Sequence, residues 1–154
     1  MLLVAVTEQA IAELAAWATL AANGAAGAYA GWGWWRVRPG ARVWPLLRAA
    51  QAVAVAQALA AGVLYFAGYE PEDGLYWLYA LLPVAIGLIA EQLRIVSAEQ
   101  VLENRDLEDA QAVGELDEQQ QRSVVLAIVR REIGVMALAA GVVAFLALRA
   151  ALIA

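Results

Sequence analysis

The residues of this chain that could carry chemistry are the polar ones that interrupt its long apolar stretches. Asn23 and Gln57 lie near the centres of two such stretches, and Pro83 and Gly141 lie near the centres of two others. Because Pro83 has no N–H, the carbonyl of Tyr79 would lose its helical donor. We expect Asn23, Gln57, Pro83 and Gly141 to form a midplane polar layer. This layer has three interpretations: a pore, a pocket for water or a small ligand, or an amide pair that only holds two helices together.

A second polar group lies where the third apolar stretch ends and the fourth begins. Charged side chains cost about 2.5–3.5 kcal/mol each at the centre of a spanning helix, so we expect these residues to be paired and hydrated at the membrane border. One interpretation is a salt-bridged collar that also binds lipid phosphates. The alternative is a cytoplasm-facing site in which the arginines hold an anionic headgroup or substrate. The collar consists of Glu91, Gln92, Arg94, Arg130, Arg131 and Glu132.

The residue types that are missing exclude several classes of protein. The chain has no cysteine and no histidine, which excludes disulfides, thiol catalysis, ordinary zinc sites and histidine-ligated haem. The net charge of −5, with no basic cluster away from the apolar stretches, argues against nucleic acid as a partner. Sequence motifs for an activated nucleophile, a nucleotide phosphate or a metal are absent as well. We therefore expect no catalytic residue, no cofactor and no metal.

The apolar stretches themselves predict a polytopic membrane protein. Charged residues make up only 16% of the chain, whereas about 25% is usual for a soluble domain. A spanning helix needs about 20 mostly apolar residues, and four stretches qualify, covering residues 14–35, 49–69, 75–93 and 133–153. Because backbone polar groups find no water in lipid, such stretches should be helices. We expect an all-α, four-helix membrane bundle that forms one domain over residues 1–154.

The polar connection between the third and fourth spans, residues 94–132, predicts a helical hairpin. We expect helix 3 to continue to near Asp109 and helix 4 to begin near Glu118, with Asp117 as its N-cap. The two extensions would then be about equal in length, as an antiparallel hairpin requires. Its tip, residues 99–118, carries eight acidic residues and one arginine. The tip is interpreted as a solvated end or as a docking surface for a basic partner.

The distribution of arginine predicts the orientation of the chain. Nine of the ten arginines fall around the first or third connection between spans, and only Arg149 lies on the other side. By the positive-inside rule the arginine-rich side is cytoplasmic and both termini face outward. The outer loop, residues 70–74, carries only acids, and Asp73 within it is placed to cap helix 3. Because the chain uses arginine without lysine and is rich in alanine and glycine, we expect a bacterial inner-membrane protein.

Glycines predict where the helices pack. Lipid tails are as apolar as leucine, so helices in a membrane associate through close backbone approach at small residues. Gly27 and Gly31 form a GxxxG pattern in helix 1, and Gly134 and Gly141 share one face of helix 4. We expect these four glycines and Gly24 to lie at helix contacts, either within the bundle or across a subunit interface.

Three classes of function are compatible with these features. The first is a non-catalytic membrane scaffold or complex subunit that forms homo- or hetero-oligomers through its small-residue faces and uses its acidic hairpin for docking. The second is a channel or uniporter for a small neutral or anionic solute. The third is an interfacial protein or enzyme that binds an anionic lipid at the arginines of the collar. The lipid bilayer is the partner common to all three.

Overall fold

The computed structural model describes residues 2–38, 40–107 and 110–154. Within these ranges the chain forms five helices and no strand, which confirms the all-α class. The helices are α1 (Leu2–Trp35), α2 (Val43–Ala67), α3 (Leu75–Glu103), α4 (Ala110–Gly114) and α5 (Glu118–Ala151). Among the described helices, α2, α3 and α5 are long and apolar enough to cross a membrane. The protein therefore has three helices that could cross a membrane, where four were predicted.

The first helix differs from the other long helices in composition. It has 34 residues, which is ample length for a membrane crossing, but over its described residues it is not among the three helices found long and apolar enough to span. Alanine and glycine predominate in it, and they contribute much less hydropathy than leucine, isoleucine or valine. Its role as a fourth span therefore stays a prediction.

The predicted N-cap is confirmed at the start of α5, whereas at the start of α3 the N-cap is Gly74 and Asp73 lies one residue before it. The carboxylate of Asp117 accepts a hydrogen bond from the backbone N–H of Gln120 at 2.8 Å, which satisfies one of the free donors at the start of α5. The carboxylate of Asp73 accepts one from the N–H of Leu75 at 2.9 Å at the start of α3. Asp117 therefore caps α5 as predicted, and the Asp73 carboxylate bonds the first residue of α3 without being its N-cap.

The hairpin arms are unequal, contrary to the prediction. α3 ends at Glu103 and not near Asp109, which itself lies outside the described residues. Asp106 adopts a left-handed backbone conformation with φ of 56°, which aspartate tolerates better than most residues. Residues 110–114 then form the short helix α4 before α5 begins at Glu118. Both arms nevertheless bury apolar side chains, since Val101 near the end of α3 and Val124 on α5 are buried.

The four long helices pack side by side in chain order. α1 contacts α2 and α5, and α3 contacts α2 and α5, so that α5 closes the arrangement against α1. Buried apolar residues form two clusters, one near each end of the helices. The cluster at the loop between α2 and α3 contains Leu64, Tyr69, Tyr76 and alanines of α1, α2, α3 and α5. The cluster at the opposite end contains Val43, Leu47, Ile133, Met136 and alanines of all four long helices.

Candidate functional site: a charged cluster, a cleft and a groove

A charged cluster connects three helices at the end where α2 begins. The carboxylate of Glu91 on α3 accepts hydrogen bonds from Arg48 at 2.6 and 3.2 Å, from the Gln51 amide at 3.0 Å and from Arg94 at 3.2 Å. Arg94 also pairs with Glu132 of α5 at 3.3 Å. The positive charges of two guanidinium groups therefore balance the negative charges of two carboxylates, and these contacts connect α2, α3 and α5. We call Arg48, Gln51, Glu91, Arg94 and Glu132 the charged cluster.

The predicted collar is brought together only in part. Glu91, Arg94 and Glu132 are in the charged cluster, whereas Gln92 is exposed. Arg130 stacks over the ring of Trp34 at 5.4 Å, and Arg131 donates a hydrogen bond to the Gln100 side chain at 3.0 Å. Neither of these two arginines pairs with a carboxylate in the part of the chain that the structure describes.

Two members of the charged cluster were not predicted to belong to it. Arg48 was assigned to the general positive charge of the cytoplasmic side, and Gln51 was not singled out. Their spacing of three residues places both on one face of α2, and the Arg48 guanidinium donates to the Gln51 oxygen at 2.8 Å. That spacing could have predicted that Arg48 and Gln51 act together. It could not have predicted their partner Glu91 on α3, which is 40 or more residues away in the chain.

The midplane polar layer is not formed as predicted. The amide nitrogen of Asn23 donates to the carbonyl of Thr19 and, across the helix interface, to the carbonyl of Ala50, both at 3.1 Å. Asn23 thus bonds the backbone of α2 and not the side chain of Gln57. Gly141 is exposed on the outside of α5, whereas Pro83 is fully buried within the helices. The four residues therefore do not share one site.

The side-chain polar atoms of Gln57 and Thr19 are buried without hydrogen-bond partners among the described residues. Gln57 is 2% exposed, and neither its amide oxygen nor its amide nitrogen bonds any described residue. The hydroxyl of Thr19, fully buried on α1, is in the same situation. An unsatisfied buried polar group costs about 1–3 kcal/mol, unless a water molecule satisfies it. The interior of the helices therefore contains polar groups that packing alone does not explain.

Replacing Gln57 by methionine is expected to stabilise the protein by about 1 kcal/mol. Methionine has a similar shape and no polar atoms, so it removes the cost of burying an unpaired amide without creating a cavity. The free energy of unfolding measured by denaturant titration in detergent micelles tests this. Gln51→Met, which breaks two hydrogen bonds in the charged cluster, is the matched control and should destabilise. Destabilisation by Gln57→Met would mean that the amide has a partner, such as a bound water.

A cleft opens between α2 and α3 beside the charged cluster. Its volume is about 240 Å³, and α1 and α5 contribute one residue each to its lining. A smaller cavity of about 20 Å³ adjoins it and shares Asn23 and Gln51; this is large enough for one water molecule, which needs about 10–15 Å³. We call the larger space the α2/α3 cleft. It is lined by Asn23, Arg48, Gln51, Ala54, Val55, Pro83, Val84, Gly87, Leu88, Glu91 and Val143.

A groove runs along the outside of α1 and α5, where four of the five predicted packing glycines lie. A Cβ atom at Gly27 would lie 3.2–3.4 Å from atoms of Ala140, Ala137 and Gly141, so the two helices are in close contact there. At Gly24, Gly31 and Gly141 a Cβ would meet nothing within 4 Å, so no close contact requires glycine there, and Gly141 takes part in the Gly27 contact through its backbone nitrogen. The groove has a volume of about 710 Å³, and we call it the α1/α5 groove. It is lined by Gly27, Gly31, Trp34, Arg131, Gly134, Val135, Ala137, Leu138, Gly141, Val142 and Phe145.

The residues of these three features do not form a recognisable catalytic or metal site. Among the described residues there is no group of three or more acidic side chains that could hold a metal ion. In the comparisons with known proteins, no protein family, no curated protein and no solved structure matches the chain. The helices, the charged cluster, the cleft and the groove are therefore the features that bear on its function.

Proposed function

We propose that the chain is a non-catalytic integral membrane scaffold or complex subunit that associates with a second copy of itself through the α1/α5 groove. The groove is the observation that carries this proposal. Its floor contains Gly31 and Gly141, over which the backbone is accessible, and its walls include Leu138 and Phe145, which are 74% and 60% exposed. Small residues between large apolar walls are the surface that a helix from another subunit fits in lipid.

The proposed topology has four spans, with α1 as the first. The arginine-rich end faces the cytoplasm of a bacterium, and both termini face outward across its inner membrane. Pairs of arginine and tryptophan support this end as a membrane border, since Arg36 lies over Trp32 at 4.3 Å and Arg94 over Trp44 at 5.3 Å. Such amphipathic rings favour the headgroup layer.

The hairpin formed by the last residues of α3 and the first residues of α5 is the proposed cytoplasmic docking surface. It projects beyond the charged cluster, and its described acidic residues are largely exposed. One of them, Glu118, pairs with Arg122 at 2.7 Å, and both side chains are about 80% exposed. Exposed pairs of this kind are weak, so the tip keeps its negative charge available to a basic partner.

Cysteine cross-linking in liposomes tests the association. Because the chain has no cysteine, Leu138→Cys on the groove wall is expected to form a disulfide-linked dimer on oxidation. Leu59→Cys is the matched control, because Leu59 is 68% exposed on α2, outside the groove. Adding Gly141→Leu, for which the single chain has room, should reduce the dimer about tenfold, which corresponds to about 1.4 kcal/mol of association energy. Equal cross-linking at residues 138 and 59, or no effect of Gly141→Leu, would contradict the proposal.

An anionic lipid at the collar arginines is a second proposed partner. Arg130 and Arg131 have no carboxylate partner among the described side chains, and Arg131 lies at one end of the α1/α5 groove. A guanidinium group at one end of an apolar groove suits a lipid phosphate that lies beside the second copy. This places the lipid at the edge of the proposed interface and favours an interfacial lipid-binding role as the second candidate function.

A channel or uniporter is the third candidate and has weaker support. The α2/α3 cleft begins at the charged cluster and includes Asn23, but Gln57 is not part of its lining. Toward the other end of the helices, Leu64, Tyr76 and several alanines are packed in a buried apolar cluster. A continuous path would have to cross that cluster, so a cleft open toward one end fits these contacts better than a pore.

A further inference from the structure

The α2/α3 cleft is polar at one end and apolar at the other. Going along α2, Arg48 and Gln51 are followed by Ala54 and Val55. The antiparallel α3 repeats this order, with Glu91 at the polar end and Val84 and Pro83 at the apolar end. A molecule that fills the cleft therefore needs a polar head at the charged cluster and an apolar body toward the middle of the helices.

The charges at the polar end already neutralise one another. Glu91 receives hydrogen bonds from two arginines and from the Gln51 amide, and Arg94 has Glu132 as a second partner. An ionic headgroup would have to displace one of these bonds. The charged cluster therefore favours an uncharged head.

Asn23 provides an acceptor without a partner at the inner wall of the cleft. The side chain is 3% exposed, and both of its hydrogen bonds are donated by the amide nitrogen, to the carbonyls of Thr19 and Ala50. Since an oxygen could not bond two carbonyls, the orientation of the amide is fixed. Its oxygen Oδ1 accepts no hydrogen bond from the described residues, and Asn23 lines the cleft and the small cavity beside it. A hydroxyl group in the cleft would supply the missing donor.

The apolar part of the cleft is open sideways. On its rim, Val55 is 45% exposed and Leu88 is 66% exposed, so in a spanning arrangement a ligand can enter from the lipid. The volume of about 240 Å³ is below the range of about 300–1,000 Å³ that is usual for drug-sized ligands. This space suits one chain and not the two chains of a phospholipid.

From these contacts we infer that the α2/α3 cleft binds a single-chain amphiphile with an uncharged hydroxyl head, taken up from the membrane. The hydroxyl donates to Oδ1 of Asn23, and the chain lies along Val55, Val84 and Leu88. This site lies on the α2 and α3 side and is independent of association through the α1/α5 groove. It adds a binding activity to the proposed scaffold role.

Photoaffinity labelling in phosphatidylcholine vesicles tests this inference. The probe is a long-chain primary alcohol with a diazirine in its chain, and labelled peptides are identified by mass spectrometry. We expect saturable labelling within 43–67 and 75–103 that an excess of the unlabelled alcohol removes. Gly87→Leu should lower labelling about tenfold, because a Cβ at Gly87 meets nothing within 4 Å and leucine would fill the cleft. Asn23→Leu should lower it about fivefold through the lost hydrogen bond.

Gly62→Leu is the matched control for these variants. Gly62 is also a helical glycine with open space around its Cβ, and it lines a separate apolar pocket near Tyr65 and Trp77. Labelling should be unchanged in this variant. Labelling that does not saturate in the wild type would mean partition into bulk lipid and would overturn the inference, whether or not Asn23→Leu folds. Equal labelling by the corresponding fatty acid, or unchanged labelling of Gly87→Leu, would overturn it too.

Discussion

Replacing Gly27 by leucine is expected to lower the free energy of unfolding by about 3 kcal/mol, the upper part of the range for overpacking a close contact. A Cβ atom at this position lies 3.2 Å from Cβ of Ala140, 3.3 Å from the carbonyl oxygen of Ala137 and 3.4 Å from the backbone nitrogen of Gly141. Two of these three atoms are backbone and cannot rotate away. To admit even the Cβ atom of leucine, α1 and α5 must therefore separate by a few tenths of an ångström.

The cost is large because close packing of small residues is a main source of attraction between α1 and α5. The Arg130 guanidinium over the Trp34 ring at 5.4 Å is a further contact between these two helices. Van der Waals contacts fall off within a fraction of an ångström. Even a small separation would then remove many contacts along the interface.

Gly24→Leu is the matched control for Gly27→Leu. Gly24 lies one turn away on the same helix, and a Cβ there meets nothing within 4 Å. Its effect on the free energy of unfolding should stay within about 0.5 kcal/mol, as for a surface substitution. Denaturant titration of both variants in the same detergent compares them. Leucine has a higher helix propensity than glycine at both positions, so propensity cannot produce a loss. Equal losses would therefore show that the contact of Gly27 with α5 does not determine the effect.

The contrast between these two glycines shows how far the sequence predicts the packing. Small residues indicate that α1 can approach another helix closely, and Gly27 does so. Which glycine of Gly24, Gly27 and Gly31 makes the contact depends on the rotation of α1 about its axis, and that rotation is determined by all of its neighbours together. The sequence therefore predicted that a glycine of α1 makes a close helix contact, but it did not predict which glycine makes it.

The polar residues show the same limit. Asn23 and Gln57 were expected to meet because each lies near the middle of its stretch. The observed bond from Asn23 to Ala50 places Asn23 nearly two helical turns away from Gln57 along α2. Depth estimated from the centre of a stretch is uncertain by about a turn for each helix. A pairing that depends on register therefore needs the structure, whereas caps such as Asp117 depend on local chemistry and were predicted correctly.

Replacing Glu91 by leucine is expected to lower the free energy of unfolding by about 2 kcal/mol. The Glu91 side chain is 24% exposed, so the loss should lie between about 0.2–1 kcal/mol for an exposed pair and about 3–5 kcal/mol for a buried one. The variant leaves Arg48 with only Gln51 and leaves Arg94 with only Glu132 as a polar partner among the described side chains. An arginine without its acid at a membrane border is the main source of the cost.

A double-mutant cycle with Arg48 separates this pairing from the loss of one polar side chain. Arg48→Leu alone should cost about 1 kcal/mol or less, because Glu91 keeps its bonds to Arg94 and Gln51. The double variant should cost about as much as Glu91→Leu alone, since removing Arg48 also removes one uncompensated charge. Gln92→Leu, at the neighbouring exposed position, is the control and should have little effect. If the losses of Glu91→Leu and Arg48→Leu simply add, the two side chains do not stabilise the protein as a pair. The Arg48–Glu91 ion pair is then a surface arrangement that does not hold α2 against α3.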